Sequence, residues 1–267
     1  MKYRVLGTLQ IADGDTYASL SARKIEQLLA TLLVKANQVV SQDRIIEELW
    51  GNHPPRQATA GLYVYISQLR KLLAPEGGSA AGPLVTCSPG YLLQVADDEL
   101  DLHVFRAAAF QGRSQLRAGR YEEAAASFES ALDLWRGPAL SELRDGPIVA
   151  EFVTWVDELR LECAQMCVEA NLRLGHHRAM VSVLSRLIAD HPLHEEFYQQ
   201  LMLALYRSNR RADALRTYQL ARETLNRELG LEPCRMLREL HQTILRADYT
   251  EFSGYAGYQE VDYPKTA

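Results

Sequence analysis

Apolar residues along the first 95 positions follow two periods. The stretch "KYRVLGTLQI" (Lys2–Ile11) is rich in β-branched and apolar residues and stops at "ADGD", a turn signal. It predicts one strand, with a second short strand near Tyr17. From Ser21 the period changes to that of a helix, with Ile25, Leu28, Leu29, Leu32 and Leu33 on one face. A second helix follows in "VVSQDRIIEELWG", with Ser41 placed as its N-cap, Asp43 in the first turn and Gly51 just past the end. Pro54 and Pro55 make "NHPPRQ" a loop, because neither can continue that helix. In the third helix, "ATAGLYVYISQLRKLL", Leu62, Ile66, Leu69 and Leu73 fall at intervals of four, three and four. "LVTCSPGYLLQV" then reads as a hairpin around a Ser-Pro-Gly turn, with Gly90 expected at positive φ and Tyr91 expected to pack.

Beyond Leu100 the pattern is continuous helix with Ala-rich packing positions, and it repeats. "LRAGRYEEAAASFESAL", "LRLGHHRAMVSVLSRLI" and "LYRSNRRADALRTYQLA" superimpose on Gly119, Gly175 and Asn209. Ala124, Met180 and Ala214 follow five positions on, and Phe128, Leu184 and Tyr218 nine on. The step from Gly175 to Asn209 is 34 residues, the tetratricopeptide period, and the earlier step of 56 is one period plus an insert that includes "WRGPALSELRDGP". Helix pairs that cannot bury their apolar faces alone stack on their neighbours, so a small α-solenoid is expected. The expected fold is therefore mostly α. An N-terminal winged helix-turn-helix of α+β type (1–95) precedes an all-α tetratricopeptide-like solenoid (100–248), and a disordered tail (249–267) follows.

Composition narrows the functions. The 267 residues are 47% hydrophobic and 24% charged, as in an ordinary globular chain. No apolar run reaches the length of a membrane span and no signal core precedes the first strand, so a cytoplasmic, nucleoid-associated protein with no membrane partner is expected. Residues 1–95 carry nine Lys/Arg against seven acids, and the remainder carries 20 against 27. Cys163 and Cys167, one helical turn apart in an apolar pattern, read as buried thiols.

The third helix carries the chemistry. Its back, Ala60, Val64, Ser67 and Lys71 flanked by Tyr63, Gln68 and Arg70, contains no acid. Small residues let a helix approach the floor of a DNA major groove. Gln68 can pair with adenine, Arg70 with guanine or phosphate, and Lys71 with phosphate. The same face can instead pack on the solenoid or meet water, and periodicity alone leaves that open.

The helices and hairpin together resemble the OmpR-type winged helix of response-regulator effector domains. The wider set of motifs is "ELWGNHPP", "LYVYISQLRKLL", "SPGYLLQV", "LWRGPAL", "HPLHEEFYQQLMLALYRSNRRADALRTY" and "ELGLEP", in that order. Over residues 1–246 it resembles the Streptomyces antibiotic regulatory protein family, in its small stand-alone form. The resemblance implies a winged helix joined to a bacterial transcriptional activation domain. It further implies activation of an antibiotic or other secondary-metabolite gene cluster by binding direct repeats near the −35 region and recruiting RNA polymerase. The partners implied are double-stranded promoter DNA, RNA polymerase holoenzyme through its sigma factor or other subunits, and a second protomer head-to-tail on DNA. Carried over by position, Val64, Ser67, Gln68 and Arg70 lie near bases, and Thr59, Tyr63, Tyr65 and Lys71 near the backbone. Asn52, His53 and Arg56 are candidate polymerase contacts. The wing departs from the pattern. Cys87-Ser88 stands where the family commonly has an arginine, leaving Thr86 and Ser88 as weaker phosphate donors.

No enzymatic chemistry, cofactor or metal is expected. "HEEFY" at His194 has Tyr198 where a zinc-protease motif needs its second histidine, and there is no glycine-rich phosphate loop and no nucleophile elbow. Trp135 and Trp155 are expected to be packed, Trp135 within a structural turn between repeats. Two rival readings use the same sequence: a tetratricopeptide-type protein-binding adaptor with a degenerate N-terminal module, and a metabolite-gated regulator.

Overall fold

The computed structural model describes residues 2–13, 16–18, 22–74 and 82–246, so the expected disordered tail lies outside the described residues. The chain divides into two compact units, Met1–Ala170 and Asn171–Ala267.

The first unit opens with an antiparallel sheet of β1 (Lys2–Arg4), β2 (Gln10–Asp13) and β3 (Thr16–Ala18). The single strand expected over Lys2–Ile11 is thus two strands with a break at Val5–Leu9. Gly7, at φ +145°, turns the chain there, and the backbone groups of Val5–Gly7 bond outside the sheet. Then come α1 (Arg23–Val34), β4 (Val40–Ser41), α2 (Gln42–Trp50), α3 (Ala58–Leu72), β5 (Leu84–Cys87) and β6 (Gly90–Leu93). Helices α1, α2 and α3 pack on one another, and Leu28, Leu29, Leu32 and Leu33 of α1, Leu62, Ile66 and Leu69 of α3, and Ile45 and Leu49 of α2 are all buried. Ser41 caps α2, its hydroxyl accepting from the Arg44 N–H, and Gly51 ends it at φ +61°. The second sheet has the order β4-β6-β5, so the hairpin gains a two-residue third strand that the sequence reading lacks.

Among the described residues seven helices follow: α4 (Asp101–Arg117), α5 (Tyr121–Leu132), α6 (Pro147–Arg173), α7 (His177–Asp190), α8 (Glu195–Arg207), α9 (Arg211–Leu229) and α10 (Arg235–Arg246). The three repeat anchors share one conformation. Gly119, Gly175 and Asn209 are left-handed, at φ +72°, +81° and +61°. In each turn the next residue's N–H closes on the carbonyl five positions back: Arg120 on Gln115, His176 on Asn171, Arg210 on Leu205. This is how a left-handed residue satisfies the last carbonyls of a helix. Ala124 and Phe128, Leu184, and Ala214 and Tyr218 are buried after them, while Met180 is half-buried. In the second unit α7 packs on α8, α8 on α9, and α10 against both α8 and α9. Among the described residues no helix is long and apolar enough to cross a membrane.

The insert between α5 and α6 does more than turn the chain. The Arg136 N–H donates to the Leu6 carbonyl at 2.9 Å, and the Leu140 N–H to that of Gly7 at 2.8 Å. The Arg136 guanidinium reaches the Thr8 carbonyl, Gln10 Oε1 and the Asp101 carboxylate. Asp101 in turn accepts from the N–H groups of Val5 (2.8 Å) and Leu6 (3.1 Å). From the other side, Glu48 of α2, 2% exposed, accepts from the N–H groups of Ile148 (2.6 Å) and Val149 (3.1 Å) at the start of α6. Gly146 has no room for a Cβ beside that carboxylate. The winged helix and the first helices of the solenoid are therefore joined by two buried carboxylates, each taking two backbone amides. Trp135 is buried, edge-on to Phe105 at 5.6 Å and covered by Arg160. Trp155 departs from its expected packing: it is 42% exposed, with Phe152 and Arg106 against its ring.

Candidate nucleic-acid interface

Helix α3 follows a helix and a turn, and its buried stripe against α1 fixes which way its back points. Thr59, Ala60, Tyr63, Val64, Ser67, Gln68, Arg70 and Lys71 are all exposed, with Tyr63 at 52% and Val64 at 53%. Tyr63 and Val64 are neighbours on this back and add apolar contact surface to its polar groups. Tyr65 is half-buried, its ring stacked on Trp50 with centroids 6.1 Å apart. The helix starts without a side-chain cap or an acid in its first turn and ends on Arg70 and Lys71. Its positive N-terminal end is thus not neutralised locally, which favours an anionic neighbour.

Arg70 links this face to the wing, whose hairpin is itself held by β4 and by buried Leu84, Tyr91 and Leu93. The Arg70 Nε donates to the Leu84 carbonyl at 3.2 Å and its Nη2 to the Thr86 hydroxyl at 2.6 Å. Nη1 makes no hydrogen bond among the described residues. The Thr86 hydroxyl accepts from Arg70 and so keeps its own proton for another partner. The hairpin turn is only Ser88-Pro89, since Cys87 pairs with Gly90, and the Gln42 N–H ties Pro89 to the start of α2. Gly90 is not at positive φ. It is required for a different reason: a Cβ there would overlap the Val40 carbonyl and Ser41 Cα of β4. Tyr91 packs, as expected, and its phenol is pushed up by burial and then by nearby Tyr63, against the pull of Arg70. Asn52, His53 and Arg56 stand exposed in the loop between α2 and α3.

Three features of this region escaped the sequence reading: the Arg70 link to the wing, the β4 strand under Gly90, and the Glu48 anchor on α6. Only Glu48, an acid at a core-facing position of α2 beside Leu49, carried a visible signal. Elsewhere, all four cysteines are free thiols, and burial pushes that of Cys163 up to about 12. Among the described residues no group of three or more His, Cys, Asp or Glu is gathered as a metal site.

Charge is distributed less simply than the division at residue 95 implies. Residues 96–170 carry seven Arg against 15 acids, whereas residues 171–246 carry 12 Arg against eight acids, a net +4. The acidic character assigned to the whole second part belongs to the first helices and to the tail.

Comparison with known proteins gives two adjoining family matches. Residues 18–93 match the model described as "Transcriptional regulatory protein, C terminal", and residues 100–245 that described as "Bacterial transcriptional activator domain". The chain is 38% identical over 253 residues to Regulatory protein DnrI of Streptomyces peucetius, covering 93% of each. It is 35% identical over 246 residues to Transcriptional regulatory protein EmbR of Mycobacterium tuberculosis (strain ATCC 25618 / H37Rv), covering 92% of this chain and 63% of that one. A solved structure of Mycobacterium tuberculosis EmbR in complex with a low affinity phosphopeptide superimposes with a TM-score of 0.87 at 35% identity, over 92% of this chain and 65% of that one. The chain thus spans less than two thirds of EmbR and nearly all of DnrI. DnrI is named a regulatory protein and EmbR a transcriptional regulatory protein.

Proposed function

Since the chain belongs to the Streptomyces antibiotic regulatory protein family of transcriptional regulators, we propose that it activates a secondary-metabolite gene cluster by reading direct repeats near the −35 region through α3. The observation that carries this reading is the acid-free, exposed back of α3 with the wing linked to it through Arg70. Val64 and Ser67 let the helix approach the groove floor, Gln68 pairs with a base, and Arg70 offers Nη1 to a base or phosphate while bonded to the wing. Lys71, Thr59, Tyr63 and the Tyr65 hydroxyl hold backbone phosphates, with Thr86 and Ser88 adding weaker contacts from a wing turn that has no cation. Two protomers sit head-to-tail on adjacent repeats, and their cooperation supplies affinity that one recognition helix lacks. Asn52, His53 and Arg56, in the loop that precedes α3, touch RNA polymerase.

The test is a gel-shift series on fragments that the purified protein selects from its own genome. Gln68→Ala is expected to lose about 1–3 kcal/mol of discrimination between selected and unrelated duplexes. Lys71→Ala should weaken both alike. If neither substitution alters binding, α3 is not the reading helix. If no fragment is selected at all, the chain acts through protein contacts instead.

A further inference from the structure

The second unit segregates its charge by end. The α7–α8 turn at His191–His194 lies at one end, so the last turn of α8 and the first turn of α7 share the other. Arg173, Arg178, Arg207, Arg210 and Arg211 stand at that end, on the two left-handed turns of the repeats and the helix ends beside them. Arg211 Nη2 donates to the Leu245 carbonyl at 2.7 Å, which brings the last turn of α10, and with it Arg246, to the same edge. Among the described residues of the α8–α9 turn and the start of α9 the acid is Asp213, and it is already held by Arg210 and Arg216. The far end is different. There Arg222 is paired with Glu232, and Arg227 with Glu228. Arg178, Arg211 and Arg246 form no ion pair among the described residues and are exposed.

A cationic edge made only of arginine suits phosphate, because the planar guanidinium matches two phosphate oxygens at once. The partner is argued from what the rest of the chain lacks. Residues 1–95 have a net charge of only +2, the wing turn carries no cation, and Arg70 is partly spent on the wing. Nonspecific affinity for a duplex comes almost entirely from phosphate neutralisation. We propose that the arginine edge of residues 171–246 is a second, sequence-independent DNA-contacting surface that takes phosphates of the duplex flanking the site read by α3. This rests on the DNA-binding reading given above, which leaves the second unit without a role on DNA.

The experiment compares the full-length wild type with the triple variant Arg178→Gln, Arg211→Gln, Arg246→Gln. Affinity is measured across a salt series on a selected fragment and on an unrelated duplex of the same length. Each lost phosphate contact lowers the slope of log affinity against log salt by about 0.9. The triple variant should therefore lose about 2–3 in slope on both duplexes, with the ratio between them unchanged. Gln68→Ala, run in parallel, should lower the ratio and keep the slope. An unchanged slope in the triple variant overturns the proposal, even where wild type discriminates well. A wild type that shows no preference defeats the α3 reading, and the edge is then judged on the unrelated duplex alone. If DNA binding is unchanged but transcript yield with polymerase falls, the edge meets an acidic protein surface and the DNA proposal is wrong. Should the triple variant fail to fold, Arg178→Gln alone, an exposed side chain with no hydrogen bond or ion pair among the described residues, must lower the slope by about 0.9.

Discussion

Glu48 and Asp101 show how much two side chains can decide. Each is a buried carboxylate that accepts two backbone N–H groups from a distant part of the chain, at α6 and at Val5–Leu6 respectively. Glu48→Ala leaves two buried amides without acceptors and should cost about 1–3 kcal/mol, read as a fall in Tm. Desolvation pushes both carboxyls above their ordinary range, outweighing the amide bonds that pull them down and, for Asp101, Arg136. A carboxyl raised in this way binds more protons folded than unfolded. Its stabilising contribution is complete below the unfolded pKa and is lost as pH rises through the native one. Measured against the Glu48→Gln, Asp101→Asn double variant, wild type should accordingly lose relative stability from the carboxylate range towards neutral pH. Thermal melts across that range check the direction, and a gap moving the other way contradicts it. At this scale the sequence was least informative. It placed Gln68 and Lys71 on an exposed helix back, but nothing in the spacing of Arg70 and Thr86 announces that they bond, because the contact depends on where the hairpin folds.

Elements were more legible where their signals are local. The α3 stripe, the Ser41 cap and the three left-handed turns follow from period and turn chemistry within a few residues. Strand β4 and the break after Arg4 do not, since a two-residue strand has no period and the bonds that end β1 come from Asp101 and the insert. Gly90 separates the two kinds of cause. Its requirement is for space against β4, so Gly90→Ala should disrupt the β4–β6 pairing and lower Tm, whereas a turn glycine would show only a conformational cost. Gly175→Ala, at a left-handed position open to solvent, is expected to cost about 1 kcal/mol. Asn209→Gly, at the equivalent turn, should be nearly neutral. A larger loss at Gly175 than at Gly90 in denaturant melts would reverse this assignment.

The whole chain divides inside α6, between Ala170 and Asn171, after the winged helix and first solenoid helices have been joined by Glu48, Asp101 and Arg136. Hydrogen exchange on Glu48→Ala should therefore show faster exchange in α2, the insert and the start of α6, and unchanged protection in α8 and α9. Equal acceleration in both units would show that they unfold together. The sequence by itself determined that a winged helix with an acid-free helix back is followed by repeated helix pairs, because period, caps and turn residues act over one or two turns of chain. It also held the charge balance of each segment. Only the tertiary structure decided that the insert ties the winged helix to the first solenoid helices within the first unit, that Arg70 bonds to the wing, and that the arginines of separate turns share one edge. Those outcomes depend on bonds between residues about 15 to 130 positions apart, whose meeting is set by packing and leaves no periodic mark along the chain.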